Sequence, residues 1–128
     1  MKLLFASLLI FFSSHVSASC DDAIDQVGYR ICISQKAENS AQEVKAKQEE
    51  LLNKIMSWDQ EPEFRDETIK LFKITIKSFE TYKENQCRYE WSAAAGGNGA
   101  SSMGAICTIR LNKDYLKSLK VQLSWYEP

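Results

Sequence analysis

Residues 87–107 read CRYEWSAAAGGNGASSMGAIC, an aromatic and alanine-rich run followed by a glycine-rich segment and bounded by two cysteines. Glycine commonly follows the last helical residue, because it adopts left-handed backbone conformations without a steric penalty. We therefore expect one helix to stop at Gly96 and Gly97, and another to begin near residues 103–105. A bond between Cys87 and Cys107 would make the intervening segment an exposed loop tethered at its base.

The first eighteen residues have the layout of a secretory signal, in which Lys2 precedes the apolar run LLFASLLIFF and small residues follow up to Ala18. This run is too short for a membrane-spanning helix, which needs about 20 residues. We predict a signal peptide at residues 1–18 and a single exported domain at residues 19–128, periplasmic or secreted and not inserted in a membrane. A lipoprotein anchored through Cys20 is the less favoured alternative, because no large aliphatic residue stands three positions before that cysteine.

The exported domain would carry a nearly balanced charge. Without Lys2, the 16 Lys and Arg residues become 15, against 17 Asp and Glu, which gives a net charge of −2. Nucleic-acid binding requires a clustered basic face, and this balance gives no sign of one. We therefore expect neither nucleic acid nor an anionic membrane as the partner.

The chain contains four cysteines, at positions 20, 32, 87 and 107. In a small exported protein they indicate two disulfides, because that compartment is oxidising and a small core gains from cross-links. Three pairings are possible, and proximity in sequence favours Cys20 with Cys32 and Cys87 with Cys107. Closing a loop of about 20 residues stabilises by about 3 kcal/mol in the chain-entropy model. Zinc is disfavoured, because structural zinc cysteines usually stand about two to four residues apart.

Three segments carry apolar residues at helical spacing. They run from about Ser34 to Trp58, from Pro62 to about Ala95, and from residues 103–105 to about Ser124. The region from Cys20 to Ile33 looks less regular, and the aromatic residues Phe79, Tyr82 and Tyr89 are expected in the core. We predict an all-α fold, a small antiparallel bundle of about three helices stapled by two disulfides.

No catalytic constellation is evident in the sequence. The only histidine, His15, lies within the predicted signal peptide. Its absence from the exported domain removes Ser-His-Asp and Cys-His nucleophilic sites. Glu84 and Glu90 could form an acid/base pair, but Glu84 can instead pair with Arg88 four residues further on. The segment GGNGASSMG also lacks the Lys-Ser/Thr ending of a phosphate-binding loop. We therefore predict a protein that is not an enzyme and that uses no metal or cofactor.

The glycine-rich loop has two interpretations. Such a segment between two helices is often only a connection. A loop tethered at its base can instead present its tip to a partner, since prior ordering lowers the cost of binding. Trp91 is a candidate anchor, because it falls off the main apolar stripe and Trp is enriched in binding hot spots. The candidate binding residues are Trp91, Gly96, Gly97, Asn98, Ser101 and Ser102.

The stretch FETYKENQC at residues 79–87, followed by the Gly-Gly pair and Cys107, resembles the LprI-like lysozyme-inhibitor family of exported bacterial proteins. In that family an aromatic residue, usually Trp, precedes an Arg-Asp pair and a cysteine, and a Gly-Gly segment and a second cysteine follow. The family also has an N-terminal cysteine pair, which Cys20 and Cys32 match. This sequence departs from the family pattern with Phe79 for Trp, Lys83-Glu84 for Arg-Asp, and Asn112 and Tyr115 for Thr and Arg.

The resemblance implies a cell-envelope protein that binds lysozyme or another peptidoglycan hydrolase and blocks its cleft. On this hypothesis the loop from Gly96 to Gly104 enters the cleft, polar groups of Asn98, Ser101 and Ser102 donate and accept hydrogen bonds, and Trp91 packs at the rim. Two alternatives remain. One is an immunity-type protein that neutralises a cognate cell-wall toxin, and the other is a structural or stress-related envelope protein without an enzyme target.

Overall fold

The computed structural model describes residues 19–127. Helix α1 spans Gln26–Met56, α2 spans Pro62–Ala93 and α3 spans Ala100–Ser124, and a short 3₁₀ turn at Cys20–Asp22 precedes them. No strand occurs within the described residues, and both disulfides join the cysteines that are closest in sequence. The prediction of an all-α bundle of about three helices with two disulfides is confirmed. The predicted signal peptide lies outside the described residues.

Helix α1 begins well before the predicted start near Ser34. The carboxylate of Asp25 caps the helix by accepting a hydrogen bond of 2.7 Å from the backbone N–H of Gly28. The Cys20–Cys32 disulfide ties the preceding 3₁₀ turn to the second turn of this helix. The expectation of an irregular segment up to Ile33 was therefore wrong for its second half, which is helical.

The loop between α2 and α3 is shorter than predicted. Helix α2 ends at Ala93, and the chain enters left-handed backbone at Ala95, with φ of 51°, one residue before Gly96, with φ of 69°. A non-glycine residue in this conformation costs about 1–2 kcal/mol. Helix α3 begins at Ala100, earlier than the predicted residues 103–105, so only residues 94–99 remain outside the two helices.

Helices α1 and α3 run parallel to each other, and α2 runs antiparallel to both. Along the bundle axis, Ser40 of α1 is level with Asn112 of α3, and Leu51 lies further along near Leu119. Helix α3 contacts α1 and α2 more extensively than those two contact each other. Helix α3 therefore takes part in most of the packing between helices, and a groove lined by residues such as Val44 and Glu80 lies between α1 and α2.

Two ends of the bundle differ in what holds them together. The core half consists of buried apolar side chains from all three helices, namely Leu51, Ile55, Phe72, Leu119 and Leu123. Trp58 and Tyr126 close it with an edge-to-face contact of 5.4 Å between ring centroids. The loop half is the opposite end, which contains both disulfides and the α2–α3 loop, and its buried apolar cluster has only Cys87, Cys107 and Leu111.

Two further expectations change once the side chains are placed. Tyr82 and Tyr89 are 54% and 67% exposed, so they do not belong to the core. They lie on the face of α2 that turns away from α3, whereas Phe79 packs against the Cys87–Cys107 cluster. The sulfur of Cys20 is bonded to Cys32, and a lipid anchor would need that same sulfur. The lipoprotein alternative is therefore incompatible with the observed pairing.

Candidate functional site

The tip of the α2–α3 loop is exposed and ordered by successive backbone hydrogen bonds. All residues from 95 to 99 are exposed, which brings Gly96, Gly97 and Asn98 together on one surface. The N–H of Gly97 donates to the carbonyl of Ala94 over 3.1 Å, and the N–H of Ala100 donates to the carbonyl of Gly97 over 2.9 Å. These turns give the tip a defined shape without side chains at three of its positions, Gly96, Gly97 and Gly99.

A covalent and an ionic link connect α2 to α3 beneath this tip. Cys87 and Cys107 are bonded, with their Cα atoms 5.5 Å apart. The Arg110 guanidinium donates to Glu90 Oε1 over 2.6 Å, and Gln86 Nε2 donates to the same oxygen over 2.9 Å. The Gln86 hydrogen bond, together with Arg110, holds the pKa of Glu90 below its usual value. Glu90 is therefore ionised at neutral pH and maintains the ion pair.

A groove of about 550 Å³ runs between α2 and α3 beside the loop. The α2 side carries Glu84, Arg88 and Trp91, and the α3 side carries the small residues Ser101, Gly104 and Ala105. Trp91 is 51% exposed, so its indole ring is available at the mouth of the groove. The position of Trp91 off the buried stripe, predicted from its helical spacing, is thus the position found in the structure.

Gly104 lies inside α3 and faces Trp91. A Cβ added there would stand 3.7 Å from Trp91 Cβ and 3.8 Å from its Cδ1, which is ordinary van der Waals contact. Packing therefore does not require glycine, although glycine inside a helix costs about 1 kcal/mol relative to alanine. The residue keeps the wall of the groove low next to the tryptophan at the expense of helix stability.

The expected ion pair between Glu84 and Arg88 is absent. Within residues 19–127, neither side chain lies within 4.0 Å of an opposite charge. In contrast, Lys83 is mostly buried and pairs with Glu80 over 2.8 Å. Glu84 and Arg88 therefore offer one negative and one positive charge to whatever enters the groove.

The two candidate serines have different surroundings. Ser101 is exposed on the first turn of α3. Ser102 is only 8% exposed and lines a recess with Tyr29 and Arg30 of α1. The prediction that Ser102 belongs to an exposed loop was wrong, because residues from Ala100 onward are helical and turn Ser102 toward α1.

Of the five positions at which the sequence departs from the family pattern, Glu84 is exposed and lines the groove, and the other four form one internal cluster. The rings of Phe79 and Tyr115 stack with centroids 3.8 Å apart, and Lys83 Nζ lies 5.0 Å from the Phe79 centroid. Lys83 Nζ also donates to Asn112 Oδ1 over 3.2 Å. These departures therefore alter contacts between helices and leave the exposed loop unchanged.

Asn112 is fully buried and links all three helices. Its Oδ1 accepts from Lys83 of α2, and its Nδ2 donates to Ser40 Oγ of α1 over 2.9 Å. We call Ser40, Lys83 and Asn112 the polar junction. Nearby, burial raises the pKa of Tyr115 above its usual value, because the phenolate is poorly solvated there. The signal for the junction in the sequence is a single amide, that of Asn112, within an apolar helical stripe.

A further exposed apolar group lies at the start of α1. Ile24 is fully exposed, and Val27 and Ile31 are 54% and 66% exposed. The Cys20–Cys32 disulfide is adjacent, so these side chains belong to the loop half. The sequence pattern does not reveal this exposed group, because the segment that carries it was predicted to be irregular.

Residues 19–127 contain no group of three His, Cys, Asp or Glu side chains close enough to hold a metal ion. None of the helices in this range has an apolar stretch of the length that a membrane crossing would need. The loop tip, Trp91 and the adjacent groove form one exposed surface at this end of the bundle.

Comparison with known proteins assigns the chain to a family. No curated protein and no solved structure matches the chain. The model of the family described as lysozyme inhibitor LprI matches residues 17–119, which include all three helices except the end of α3, and both disulfides. The chain therefore belongs to the LprI lysozyme inhibitor family.

Proposed function

We propose that this protein is an exported, non-enzymatic inhibitor of lysozyme or of a related peptidoglycan-cleaving enzyme, and that it binds the enzyme with its loop end. The observation that carries the proposal is an exposed glycine-rich tip on two helices bonded to each other through Cys87 and Cys107. Family membership supports the class of target.

The tip has the properties needed to enter a narrow cleft. Gly96, Gly97 and Gly99 carry no side chains, so their backbone N–H and C=O groups can approach the walls of an enzyme cleft closely. Asn98 and Ser101 add exposed polar groups at the same end. Because the disulfide already restrains α2 and α3, binding orders fewer degrees of freedom and loses less entropy.

Trp91 would supply the apolar part of the contact. Its exposed indole stands at the mouth of the groove, in the last turn of α2. Tryptophan is enriched among residues whose removal costs about 2 kcal/mol or more at interfaces. The unpaired charges of Glu84 and Arg88 flank it, and their orientation toward the groove would favour an enzyme surface with complementary charges.

A bulky substitution at the tip tests the binding surface. A Cβ at Gly99 would meet nothing within 4 Å, and its φ of −90° suits any residue, so Gly99→Trp should fold normally. The matched control is Met56→Trp, which adds the same side chain at a residue 56% exposed at the other end of the bundle. We expect Gly99→Trp to weaken inhibition of lysozyme by about tenfold or more and Met56→Trp to leave it unchanged.

The assay is the rate at which lysozyme clears a cell-wall suspension, measured against increasing inhibitor. Wild-type protein that leaves this rate unchanged at large molar excess would refute lysozyme as the target. Undiminished inhibition by Gly99→Trp would instead refute the tip as the binding surface while leaving the family activity intact. Trp91→Ala provides a second test, and we expect it to weaken inhibition of lysozyme by about tenfold or more.

A further inference from the structure

Helix α2 has a second apolar face that no described element covers. It consists of five large exposed side chains, Phe64, Leu71, Ile74, Tyr82 and Tyr89, which are between 51% and 67% exposed. Their spacing places them along one line on the side of α2 that turns away from α3. We call this line the α2 stripe. Contiguous apolar surfaces of this kind on soluble proteins commonly mark interaction sites.

The residues of the α2 stripe have nearly the same spacing whether they are counted from the start or from the end of the helix. Phe64 and Leu71 are seven residues apart, as are Tyr82 and Tyr89, and Ile74 lies near the middle. Two antiparallel copies of α2 would therefore place Phe64 opposite Tyr89 and Leu71 opposite Tyr82, twice by symmetry. A two-fold interface requires this self-complementarity, since the same patch serves both partners.

One pair of charges at the ends of a stripe margin favours the antiparallel arrangement, and Lys77 lies on the same margin near the middle of the stripe. Glu63 lies along one margin near the start of α2, and Arg88, at the border between the stripe and the α2–α3 groove, lies along the same margin near the end of the helix. Neither makes an ion pair with another described residue. Antiparallel pairing keeps this margin on the same side of both copies and brings Arg88 of one copy toward Glu63 of the other, whereas parallel pairing places the two margins on opposite sides of the interface.

We propose that the α2 stripe is a homodimer interface in which two copies pair through antiparallel α2 helices. Taking about 150–250 Å² as the area that one aromatic side chain can bury, the stripe exposes roughly 500 Å² per copy. Two copies would bury roughly 1,000 Å², near the lower limit for a specific interface, so the dimer is a weak one. Trp91 lies on a different face of α2, and the two loop ends point in opposite directions along the dimer.

Sedimentation velocity of the exported, processed protein tests the dimer. We expect the sedimentation coefficient to rise from monomer to dimer over about a hundredfold range of concentration. The double variant Leu71→Glu with Tyr82→Glu should remain monomeric over this range. The control Val121→Glu, at a position on α3 that is 58% exposed, should behave as wild type. Circular dichroism of each variant checks its helix content.

A cysteine pair tests the direction of pairing. In the antiparallel arrangement, the double variant Leu71→Cys with Tyr82→Cys brings a cysteine of each copy opposite one of the other, and mild oxidation should link most of the protein into dimers. The two positions are about 16 Å apart along one helix, too far for a bond within one copy or for efficient linking by either single variant. Equal linking by the single variants, or a wild-type protein that stays monomeric throughout, would overturn the proposal. Neither result would bear on enzyme inhibition.

Discussion

Different interactions hold the two halves of this bundle together. In the core half, five buried apolar side chains from three helices exclude water from one another. In the loop half, both disulfides and the Glu90–Arg110 ion pair perform the comparable task, and few apolar side chains are buried. Covalent and ionic links hold two helix ends together while leaving their outer surfaces uncovered. This difference teaches that cross-links can hold one end of a bundle in place while its outer side chains stay exposed.

The largest expected effect belongs to the core half. Leu119 is 0% exposed, and Leu119→Ala should lower the free energy of unfolding by about 2–5 kcal/mol through lost burial and a residual cavity. The nearby control Val121→Ala, at an exposed position, should change it by less than about 0.5 kcal/mol. Urea denaturation followed by circular dichroism measures both. If Leu119→Ala proves as mild as its control, the core half does not set global stability.

Removal of the Cys87–Cys107 disulfide should act on the loop half. Cys87→Ala with Cys107→Ala should cost about 3 kcal/mol, because the unfolded chain regains the entropy of an open loop. Native-state hydrogen exchange should accelerate mainly in the last turns of α2 and the first turns of α3. The comparison protein is Cys20→Ala with Cys32→Ala, in which faster exchange should concentrate at the start of α1. If hydrogen exchange accelerates equally in both halves of the bundle, the Cys87–Cys107 disulfide does not act mainly on the loop half.

The polar junction lies between the two halves and should give an intermediate effect. Asn112→Ala leaves Lys83 Nζ and Ser40 Oγ without their shared partner in a buried site, which should cost about 1–3 kcal/mol. Asn53→Ala, at an exposed position of α1, is the control and should be nearly neutral. Thermal unfolding of the two variants gives the comparison. Equal melting temperatures would show that the junction contributes no stability.

The smallest expected effect is acid sensitivity of the loop half. The folded state lowers the pKa of Glu90 below its ordinary value of 4.5, because Gln86 and Arg110 favour the ionised carboxylate. This contribution is present above pH 4.5 and is lost as the pH falls through the lowered pKa. Wild-type stability should therefore decline more steeply than that of Glu90→Gln as the pH falls below 4.5. Parallel declines of the two melting temperatures would exclude Glu90 as a source of acid sensitivity.

Much of the architecture could be predicted from the sequence because its signals are local. Apolar spacing indicated three helices, Pro62 indicated the start of α2, and proximity indicated the cysteine pairs. The early start of α1 depends on the Asp25 cap and on a turn whose aliphatic residues face outward, so the buried periodicity does not reveal it. Apolar spacing therefore predicts a helix best where the apolar residues all lie on its buried face.

The errors at the candidate site have a different origin. Helix α2 has two apolar faces, and spacing alone cannot tell which one packs inward, so Tyr82 and Tyr89 were placed in the core. Ser102 was assigned to the loop because four glycines stand between residues 96 and 104, yet the last of them is helical. Trp91 was correctly expected off the buried stripe, whereas both helix boundaries of the loop were predicted too late in the chain.

Gly104 is a position at which selection for stability and selection for binding would favour different residues. A single-step change, Gly104→Ala, would strengthen α3 by about 1 kcal/mol and fit without a clash, while adding a methyl group to the wall beside Trp91. A laboratory population screened only for heat resistance would therefore accumulate alanine there. A population screened for retained binding to the target would keep the glycine if the low groove wall beside Trp91 is needed for binding. If alanine accumulates in both populations, Gly104 has no role in binding.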